Sequence, residues 1–392
     1  MSNTRRKLCV VTGSRAEYGL LEPVIAMLAS DEAVELQLAV TGMHLAPEFG
    51  DTLAEIQQGG YPISARVEML LSSDSAVGVG KSLGLGVIGF ADAFDHLRPD
   101  IVVVLGDRFE VLAAVEAALI ANVPVAHIAG GDTTEGAIDE SIRHAITKMS
   151  HLHFVTNDLA ARRVIQMGED PGNVHVVGSP GLDNLRRLQL LNRAEIEDAL
   201  GRKLCKQNLL VTFHPVTLEP GQSEAQLDEL LAALESLGPD VGLFVTYANA
   251  DVGGRALNSR LEQWASAHDN SSVFHSLGQL RYLSLMAQVD AVVGNSSSGL
   301  YEAPSLRRPT VDIGERQRGR LGAASVIRCP PRRDEILAAI KRAVTMDCSA
   351  VVNPYGDGHS AQRIVRLLKA VPDPRALLKK RFHAIEVGRC GS

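Results

Sequence analysis

Short apolar runs alternate along this chain with stretches in which apolar residues recur at helical spacing. Runs such as KLCVVTG (7–13) and IVVVL (101–105) are apolar at consecutive positions, as strands buried on both faces of a parallel sheet are. The stretch after the first run instead places Leu21, Val24 and Leu28 on one helical face. The alternation of strand and helix predicts an α/β fold with parallel sheets and right-handed crossovers.

The same pattern divides the chain into two halves. In the first half it predicts strands at KLCVVTG, VELQLAVTG, RVEML, IVVVLGD, VPVAHIAGG, HLHFVTN and VHVVGSPGLDN. In the second half it predicts strands at NLLVTFHP, VGLFVTY, SSVFHS, DAVVGNSS and PTVDIG. Between them, from about residue 185 to residue 206, the sequence is charged and helical and lacks a strong strand. We therefore predict two Rossmann-like, doubly wound lobes that face a cleft, at 1–185 and 186–372, and a separate tail at 373–392.

Length and composition narrow the functional classes. The 392 residues suit two domains, and 45% hydrophobic with 22% charged residues is an ordinary globular balance. A net charge of −7 argues against nucleic acid or an anionic membrane surface as a partner. The five cysteines show neither a CxxC pair nor metal-ligand spacing, which indicates reduced thiols and no metal site. Neither a signal peptide nor an apolar run near the about 18–20 residues of a membrane span is evident, so we expect a cytoplasmic protein.

Charged residues follow the predicted strands of the first half. Asp107 and Arg108 come directly after the run IVVVLG, and Asp132 follows the glycine turn after the next strand. Asp139 and Arg143 then lie at helical spacing. Ligands of open α/β sheets bind beyond the carboxyl ends of the strands, so these side chains should converge on one edge. Taken singly, Asp107 is also a good helix N-cap, and Asp139 is an ordinary charge in the first turn of a helix. Together they indicate residues that line one side of an active site.

Two further turns of the first half carry candidate binding residues. Ser14 and Arg15 lie at the first strand–helix turn, the usual ligand turn of such folds, and His44 follows the second strand. The first turn is not G-x-G-x-x-G, which argues against a dinucleotide. The stretch SSDSAVGVGKSLGLGVIGFADAFDHLRPD is predicted to start as a glycine-rich loop and to become a helix. It contains Gly-Lys-Ser without Walker spacing or a preceding strand, so we exclude a P-loop.

The segment GNSSSGLYEAP in the second half follows a predicted strand and opens a predicted helix. Backbone N–H groups and the hydroxyls of Ser296, Ser297 and Ser298 are suited to an anion there, and Glu302 is suited to accept ribose hydroxyls. Helix capping by serine without a ligand is the alternative. The arginine-rich stretch that follows includes Arg316 and is suited to a phosphate.

His214 lies at the end of the run NLLVTFHP in the second half. A lone histidine at this place is explained as well by a structural role as by catalysis. Imidazole is nevertheless the side chain most readily poised as an acid or a base near neutral pH. From the residues alone, both interpretations of His214 stay open.

With these segments assembled, the chain resembles the UDP-N-acetylglucosamine 2-epimerase family, and its hydrolysing branch in particular. The matching segments cover most of the chain: VTGSRAEYG, VTGMHLAPEFG, VEMLLSSD, KSLGLGVIGFADAF, VVLGDRFE, HIAGGDTTEGAIDESIRHAITKMSHLHFV, VVGSPGLDN, TFHPVT and GNSSSGLYEAP. The resemblance implies two Rossmann-like lobes in the glycosyltransferase-B arrangement, with the nucleotide held mainly by the C-terminal lobe. It also implies a UDP-sugar substrate, neither a metal nor a nicotinamide cofactor, and a homodimer or homotetramer assembled through first-lobe helices.

The resemblance further implies residue roles and a reaction. Asp107 and Asp139 match acidic active-site positions, and His214 matches the active-site histidine of the second lobe. Diphosphate and ribose contacts are matched by Ser296, Ser297 and Glu302. Positions near the phosphates or the active site are matched by Arg15, Arg108, Arg143 and Arg316. The implied reaction is anti elimination of UDP across C1–C2 to a 2-acetamidoglycal, followed by hydration to free N-acetylmannosamine.

One position departs from the family pattern. Many glucosamine-type relatives have HIEGG where this chain has HIAGG, with Ala129 in place of glutamate and Asp132 in place of another glutamate. Either Asp132 or Glu135 supplies the missing acid–base group, or the substrate is UDP-2,4-diacetamido-2,4,6-trideoxyglucose (diacetylbacillosamine), a precursor of legionaminic acid. A UDP-sugar glycosyltransferase and a non-enzymatic sugar-nucleotide sensor are more distant alternatives. A requirement for an acceptor would indicate the first, and UDP binding without turnover the second.

Overall fold

The computed structural model describes residues 5–46, 52–73, 75–133, 138–215, 222–248 and 254–385. The chain divides into two compact units, and each has its own parallel sheet and core. The first unit contains residues 1–184 and 355–392, and the second contains residues 185–354.

The first unit is built on a seven-stranded parallel sheet in the order β3-β2-β1-β4-β5-β6-β7. Its strands are β1 Arg6–Thr12, β2 Val34–Thr41, β3 Ile63–Val67, β4 Ile101–Leu105, β5 Val125–Ile128, β6 Leu152–Val155 and β7 Val174–Val176. The intervening helices are α1 Arg15–Ala29, α2 Thr52–Gln58, α3 Ala76–Leu97, α4 Phe109–Ile120, α5 Ile138–Met149 and α6 Asp158–Gln166. Helix α7, Gly181–Arg187, includes the boundary between the units.

The second unit is built on a six-stranded parallel sheet in the order β10-β9-β8-β11-β12-β13. Its helices are α8 Arg193–Leu200, α9 Ser223–Glu235, α10 Gly254–Ser266, α11 Gly278–Met286, α12 Ser298–Tyr301 and α13 Arg333–Ala343. The strands are β8 Gln207–Thr212, β9 Val241–Thr246, β10 Ser271–Phe274, β11 Ala291–Gly294, β12 Thr310–Ile313 and β13 Val326–Cys329. The short edge strand β13 is absent from our sequence prediction, because a four-residue run with one buried residue carries little pattern.

Alternate residues of the first sheet enter separate cores on its two faces. Leu8 and Val10 of β1 pack in one core with the apolar face of α1, whereas Cys9 and Val11 pack in another with residues of α3 and α4. Both faces are thus apolar, which is why the strands are continuous hydrophobic runs. The prediction of an α/β fold with two doubly wound parallel sheets is confirmed.

The predicted boundary at residue 372 is wrong, because residues 355–372 belong to the first unit. Helix α14, Ser360–Ala370, buries Ile364 and Leu368 in the core that contains β1 and α1. The N–H groups of Ser360 and Ala361 donate to the Asp183 carboxylate at 2.9 and 2.7 Å. An amphipathic helix packs where an apolar surface is open to it, and this need not be the sheet that precedes it in sequence.

The segment after residue 372 is likewise attached to the first unit instead of forming a separate tail. The Lys380 ammonium lies 2.7 Å from a carboxylate oxygen of Glu169, which is 2% exposed. The same ammonium donates to the carbonyl oxygens of Lys148 and Ser150 at 2.7 and 2.6 Å. A buried carboxylate needs a counterion, and the C-terminal segment supplies one.

Helix α3 also differs from its sequence prediction. Residues predicted to form a glycine-rich loop are helical from Ala76, with the Ser75 hydroxyl capping the Gly78 N–H at 3.1 Å. Gly86 lies where a Cβ atom would come 2.8 Å from the Ala113 side chain, so the glycine lets α3 approach α4 closely. Our expectation that no segment has the length and apolarity of a membrane span is wrong, since Ala76–Leu97 has a mean hydropathy of 1.3 over 18 residues.

The exposed face of α3 consists largely of apolar residues and glycines. Val77 and Ile88 are 68% and 65% exposed, and added Cβ atoms at Gly80 and Gly84 would meet no described atom within 4 Å. Small residues of this kind allow two helices to approach closely. Lys81 and Asp92 lie exposed on the same side of the helix, eleven residues apart. Their opposite charges suit an antiparallel contact with α3 of a second copy, in which each ammonium would meet the other copy's carboxylate.

We therefore expect the protein to self-associate through α3. In light scattering coupled to gel filtration we expect a dimer for the wild type and a monomer for Ile88→Glu, because the variant would introduce two charges at the two-fold contact. Val352→Glu is the matched control, since Val352 is an exposed apolar residue of the second unit. A wild-type monomer would contradict the expectation, and flotation of the wild type with lipid vesicles would assign the α3 face to a membrane.

Candidate active site

Arg143 joins the turns at the carboxyl edge of the first sheet. It lies on α5, and its side chain is only 5% exposed. Its Nη2 atom forms a salt bridge with Oδ2 of Asp107, two residues after β4. Its Nη1 atom donates to the carbonyl oxygen of Asp132, after β5, at 2.7 Å. The structure therefore brings these three candidate residues together at one edge of the sheet.

Asp139 lies one turn before Arg143 on the same helix and is half-buried. Burial raises the pKa of its carboxyl group, and the negative charge of Asp107 raises that pKa further, while Arg143 and Arg108 oppose the shift. Asp139 thus retains its proton to a higher pH than an exposed aspartate does, whereas Asp107 is in a salt bridge. Two carboxyl groups in unlike environments are what an acid and a base require.

The carboxylate of Asp132 contacts the neighbouring turn. Its two oxygens lie 3.0 and 3.1 Å from the Thr156 hydroxyl, and Oδ1 lies 3.4 Å from Nδ2 of Asn157. These bonds tie the turn after β5 to the turn after β6, which is a structural role. The catalytic role of Asp132 stays a prediction, and the other candidate, Glu135, lies outside the described residues.

The turn that begins at Ala129 is closely confined. Ala129 has a φ of 64°, in the left-handed region, and its N–H donates to the Phe154 carbonyl at 2.9 Å. Gly131 has a φ of 76°, and a Cβ atom there would lie 2.4 Å from the Ala160 carbonyl oxygen. The glycine is therefore required both by its backbone conformation and by the packing of α6 against this turn.

Two glutamates that our sequence analysis does not single out, Glu17 and Glu110, are buried near Arg108. The enclosed Glu110 carboxylate accepts from Nη2 and Nε of Arg108 at 2.7 and 3.2 Å. Oε2 of Glu17 accepts the Gly13 N–H at 2.9 Å, and its Oε1 is enclosed with no hydrogen-bond partner in the described ranges. Burial raises the pKa of Glu17 to about 8, and the charge of Glu110 contributes to the rise. In sequence, both glutamates look like ordinary first-turn charges of α1 and α4.

Arg15 and His44 occupy contrasting positions. Arg15 is exposed at the start of α1, whereas the Ser14 hydroxyl caps the helix by accepting the Glu17 N–H at 3.4 Å. His44 is 3% exposed, with Nε2 lying 3.1 Å from the Thr12 hydroxyl. Burial lowers the pKa of His44 to about 4, so its ring is uncharged at neutral pH. The Thr12 contact places the His44 ring against the end of β1, and a binding role for His44 stays a prediction.

In the second unit, His214 lies two residues after β8 and is 6% exposed. Burial lowers the pKa of its imidazole to about 4, and the positive charge of Arg316 contributes. The ring is therefore neutral at pH 7, and a neutral imidazole is able to accept a proton. The structural interpretation accounts for the burial of His214, and the catalytic interpretation is compatible with its neutral state.

The serines after β11 form a small hydroxyl network. Oγ of Ser296 lies 3.1 Å from Oγ of Ser298, which lies 2.6 Å from the Tyr282 hydroxyl of α11. The Ser297 hydroxyl makes no capping hydrogen bond to any described residue, so helix capping does not account for it. The helix predicted to begin near Leu300 is the single turn α12, so any anion there would depend on hydroxyl groups more than on a helix dipole.

Glu302 and Arg316 lie near this network in sequence or in space. Oε2 of Glu302 is buried and lacks a hydrogen-bond partner among the described residues. Burial raises the pKa of Glu302 to about 8. Arg316 donates from Nη1 to the Asn295 carbonyl, directly before the serines, at 3.1 Å. An unsatisfied buried carboxyl oxygen is costly, and a hydroxyl group of a ligand would satisfy it.

Metal-binding and reactive-thiol sites are not evident in the described part of the chain. No group of three or more His, Cys, Asp or Glu side chains there is placed to hold a metal ion. Four cysteines are described and are free, and burial raises the pKa of Cys9 and of Cys329 to about 12. Thiols in that state are poor nucleophiles near neutral pH.

The family model and the relatives that we compared point to the same protein family. The sequence model described as UDP-N-acetylglucosamine 2-epimerase matches residues 26–369. The GDP/UDP-N,N'-diacetylbacillosamine 2-epimerase (hydrolyzing) of Campylobacter jejuni is 39% identical, over 83% of this chain and 84% of that protein. The UDP-N,N'-diacetylbacillosamine 2-epimerase (hydrolyzing) of Legionella pneumophila is 33% identical, over 96% and 98%. The UDP-N-acetylglucosamine 2-epimerase of Neisseria meningitidis is 32% identical, over 94% and 96%.

Solved structures share the fold. A crystal structure of UDP-GlcNAc 2-epimerase from Neisseria meningitidis, bound to UDP-GlcNAc, superposes with a TM-score of 0.74 at 20% identity. The superposition covers 93% of this chain and all of that one. At this identity the likeness concerns the fold and leaves the substrate open.

The burial of Glu17 predicts a pH dependence of stability. Its folded pKa of about 8 lies above the usual 4.5, so the unfolded chain releases this proton first as the pH rises. The free energy of unfolding should therefore fall between about pH 4.5 and pH 8, and stay lowered above that. Glu17→Gln removes this titration and should stabilise the protein at pH 8 by on the order of 2–4 kcal/mol more than at pH 4.5.

Urea denaturation at several pH values measures this difference. Glu116→Gln on α4 is the matched control, because Glu116 is only half-buried. An ionised Glu17 that stabilises the fold would give the opposite result, with Glu17→Gln less stable than the wild type at pH 8.

Proposed function

The chain belongs to the UDP-N-acetylglucosamine 2-epimerase family and is an enzyme of that kind, and we propose that it hydrolyses a UDP-linked 2-acetamido sugar to UDP and the free 2-epimer. One observation carries the proposal. Asp107 and Asp139 lie in unlike environments beside Arg143 and Arg108, at the edge of a parallel sheet where ligands bind. This set offers a base, an acid and positive charge, which an elimination followed by a hydration requires.

UDP-N,N'-diacetylbacillosamine is the first candidate substrate. Two relatives that cover more than four-fifths of this chain carry that substrate in their names, at 39% and 33% identity. Ala129, in place of the glutamate of glucosamine-type relatives, leaves a smaller and less polar side chain in the turn after β5. UDP-N-acetylglucosamine is the second candidate, because the relative named for it is almost as similar, at 32% identity.

In the first step, Asp107 acts as the base. It takes the proton from C2 of the sugar, the C2–H electron pair forms the C1=C2 double bond, and the C1–O bond breaks to release UDP. The salt bridge with Arg143 holds the Asp107 carboxylate at this edge of the sheet. Arg108, which Glu110 orients through two hydrogen bonds, places positive charge near the developing negative charge of the leaving group.

In the second step, water adds to the 2-acetamidoglycal. Asp139, whose raised pKa favours the protonated form, donates a proton to C2 on the face opposite to the one that lost it. Water supplies hydroxide to C1 and releases its remaining proton to solvent. The imidazole of His214, which is neutral, is the proposed acid–base group of the second unit. Asp107 then loses to solvent the proton that it took, and Asp139 regains one from solvent, so the sum is substrate plus water giving UDP, the free 2-epimer and a proton.

The serines and the acid of the second unit are assigned to the nucleotide. Hydroxyl groups of Ser296, Ser297 and Ser298 are proposed to donate to the diphosphate, with Arg316 supplying charge. The unsatisfied Oε2 of Glu302 is proposed to bond a ribose hydroxyl. Arg15, exposed at the first turn of α1, is a further candidate contact to the phosphates.

Product analysis by NMR in D₂O tests the activity and the substrate together. We expect UDP and a free 2-epimer bearing deuterium at C2, with the diacetamido sugar turned over faster than UDP-N-acetylglucosamine. Selective turnover of UDP-N-acetylglucosamine would overturn the substrate order. Turnover of neither sugar without an acceptor would contradict the proposed hydrolysing activity.

Replacing each of the two carboxyl groups should block a different step of the proposed reaction. Asp107→Asn should bind UDP but lose turnover by about 10²–10⁴-fold, because no base removes the C2 proton. Asp139→Asn should still release UDP and accumulate the 2-acetamidoglycal, because proton return to C2 is blocked. Asp240→Asn, at an exposed aspartate of the second unit, is the control. Free 2-epimer formed at the wild-type rate by Asp139→Asn would refute its role as the acid.

A further inference from the structure

Asn295 makes a two-way bridge to the peptide group of His214. Asn295 directly follows β11 and is fully buried. Its Oδ1 atom accepts the His214 N–H at 2.7 Å, and its Nδ2 atom donates to the His214 carbonyl oxygen at 2.9 Å. A side-chain amide is suited to this bridge because it offers a donor and an acceptor at once.

The main chain of Asn295 bonds two further segments. Its carbonyl oxygen accepts from Nε2 of Gln317 at 2.8 Å and from Nη1 of Arg316 at 3.1 Å. Its N–H donates to the Thr212 carbonyl at 3.1 Å. One buried residue therefore contacts the segments that follow β8 and β12, and it is joined covalently to the serines that follow β11.

Gly294 makes this approach possible. Its φ is 136°, and a Cβ atom there would lie 1.9 Å from the Thr212 carbonyl oxygen. No other residue tolerates that contact, so the ends of β8 and β11 lie as close as the backbone allows. The short separation lets the Asn295 amide reach the His214 peptide directly.

We propose that Asn295 is a positioning residue, which fixes His214, the serines of residues 296–298 and Arg316 in one geometry. The proposal rests on the proposed function, because it assigns a task to residues named there. Alanine at this position removes both bonds to His214. Aspartate keeps the acceptor for the His214 N–H, but sets a carboxylate oxygen against the His214 carbonyl oxygen and brings a negative charge near the imidazole.

Asn208 supplies a matched control, because it lies at the opposite end of β8 from His214. Asn208 begins β8's buried stretch and is 1% exposed. Its Oδ1 accepts the Cys205 N–H at 2.8 Å, and its Nδ2 donates to the Cys205 carbonyl at 3.0 Å. Asn208→Ala thus removes the same kind of bridge as Asn295→Ala, away from the proposed site residues.

The experiment compares these variants in the full-length protein by thermal unfolding, by calorimetric titration with UDP and by turnover of the nucleotide sugar. Both alanine variants should lower Tm by several degrees, because each loses two buried hydrogen bonds. Asn295→Ala should in addition weaken UDP binding at least tenfold and lower kcat at least a hundredfold. Asn208→Ala should keep both within about threefold of the wild type. Equal effects of the two variants on binding and turnover would overturn the proposal.

If Asn295→Ala does not fold, Asn295→Asp tests whether residue 295 positions His214. Its negative charge should raise the pKa of His214, measured by NMR of the imidazole, and kcat should fall more than KM rises. Wild-type kcat and an unchanged His214 titration would overturn the proposal. The His214 titration needs no ligand, so a wild type that fails to bind UDP would refute the proposed function without affecting this readout.

Discussion

The almost complete burial of the Arg143 guanidinium is the constraint on which the first unit's carboxyl edge depends. A buried guanidinium is tolerated only when its N–H donors have hydrogen-bond acceptors and its charge has a counterion. Here the Asp107 carboxylate and the Asp132 carbonyl oxygen accept from Arg143. These partners follow β4 and β5, so the charge fixes two turns relative to α5. His127, fully buried on β5, strengthens the link, because its Nε2 lies 2.8 Å from the Gly106 carbonyl. Its burial lowers the pKa to about 3, which leaves this ring a neutral structural bridge.

Among the described residues, the carboxyl edge of the first sheet includes four carboxyl groups, of Glu17, Asp107, Glu110 and Asp139, and two guanidinium groups, of Arg108 and Arg143. The negative charges of Asp107 and Glu110 act on Glu17 and on Asp139, with Arg108 as a positive charge near both acids and Arg143 near Asp139. Asp107 and Glu110 are hydrogen-bonded to the two guanidinium groups. Burial and the remaining negative charge raise the pKa of Glu17 and of Asp139. Chemically similar carboxyl groups thereby lie in different electrostatic surroundings, and the proposed division into base and acid rests on that difference.

Sequence pattern predicted the elements whose burial is local and failed where burial depends on distant segments. The strand IVVVL is fully buried, as five consecutive apolar residues indicate, and Asp107 follows it at the expected edge. Helix α14 was assigned to the wrong unit because its apolar face fits a core formed by α1, more than 300 residues earlier in the numbering. Glu17 and Glu110 were overlooked because a glutamate in the first helical turn is usually exposed, and only the packed turns enclose these two.

The candidate residues of the second unit were found by a different kind of signal. The run of serines marks a hydroxyl-rich turn in any fold, so its position after β11 followed from the sequence. The role of Asn295 did not follow from the sequence, because an asparagine before serines looks like part of the loop. Its bridge to His214 exists only because β8 and β11 are neighbours in the sheet.

The two units therefore carry different chemistry. An ion pair joins the candidate residues Arg143 and Asp107 in the first unit, whereas the candidate residues of the second unit include a neutral imidazole, a buried acid of raised pKa and a network of hydroxyl groups. The proposed proton transfer at carbon needs acid and base groups in unlike surroundings, and ionic pairing with burial provides such surroundings. Under the proposed function, a diphosphate that must later leave is better bound by several neutral donors and one arginine than by a fixed excess of positive charge.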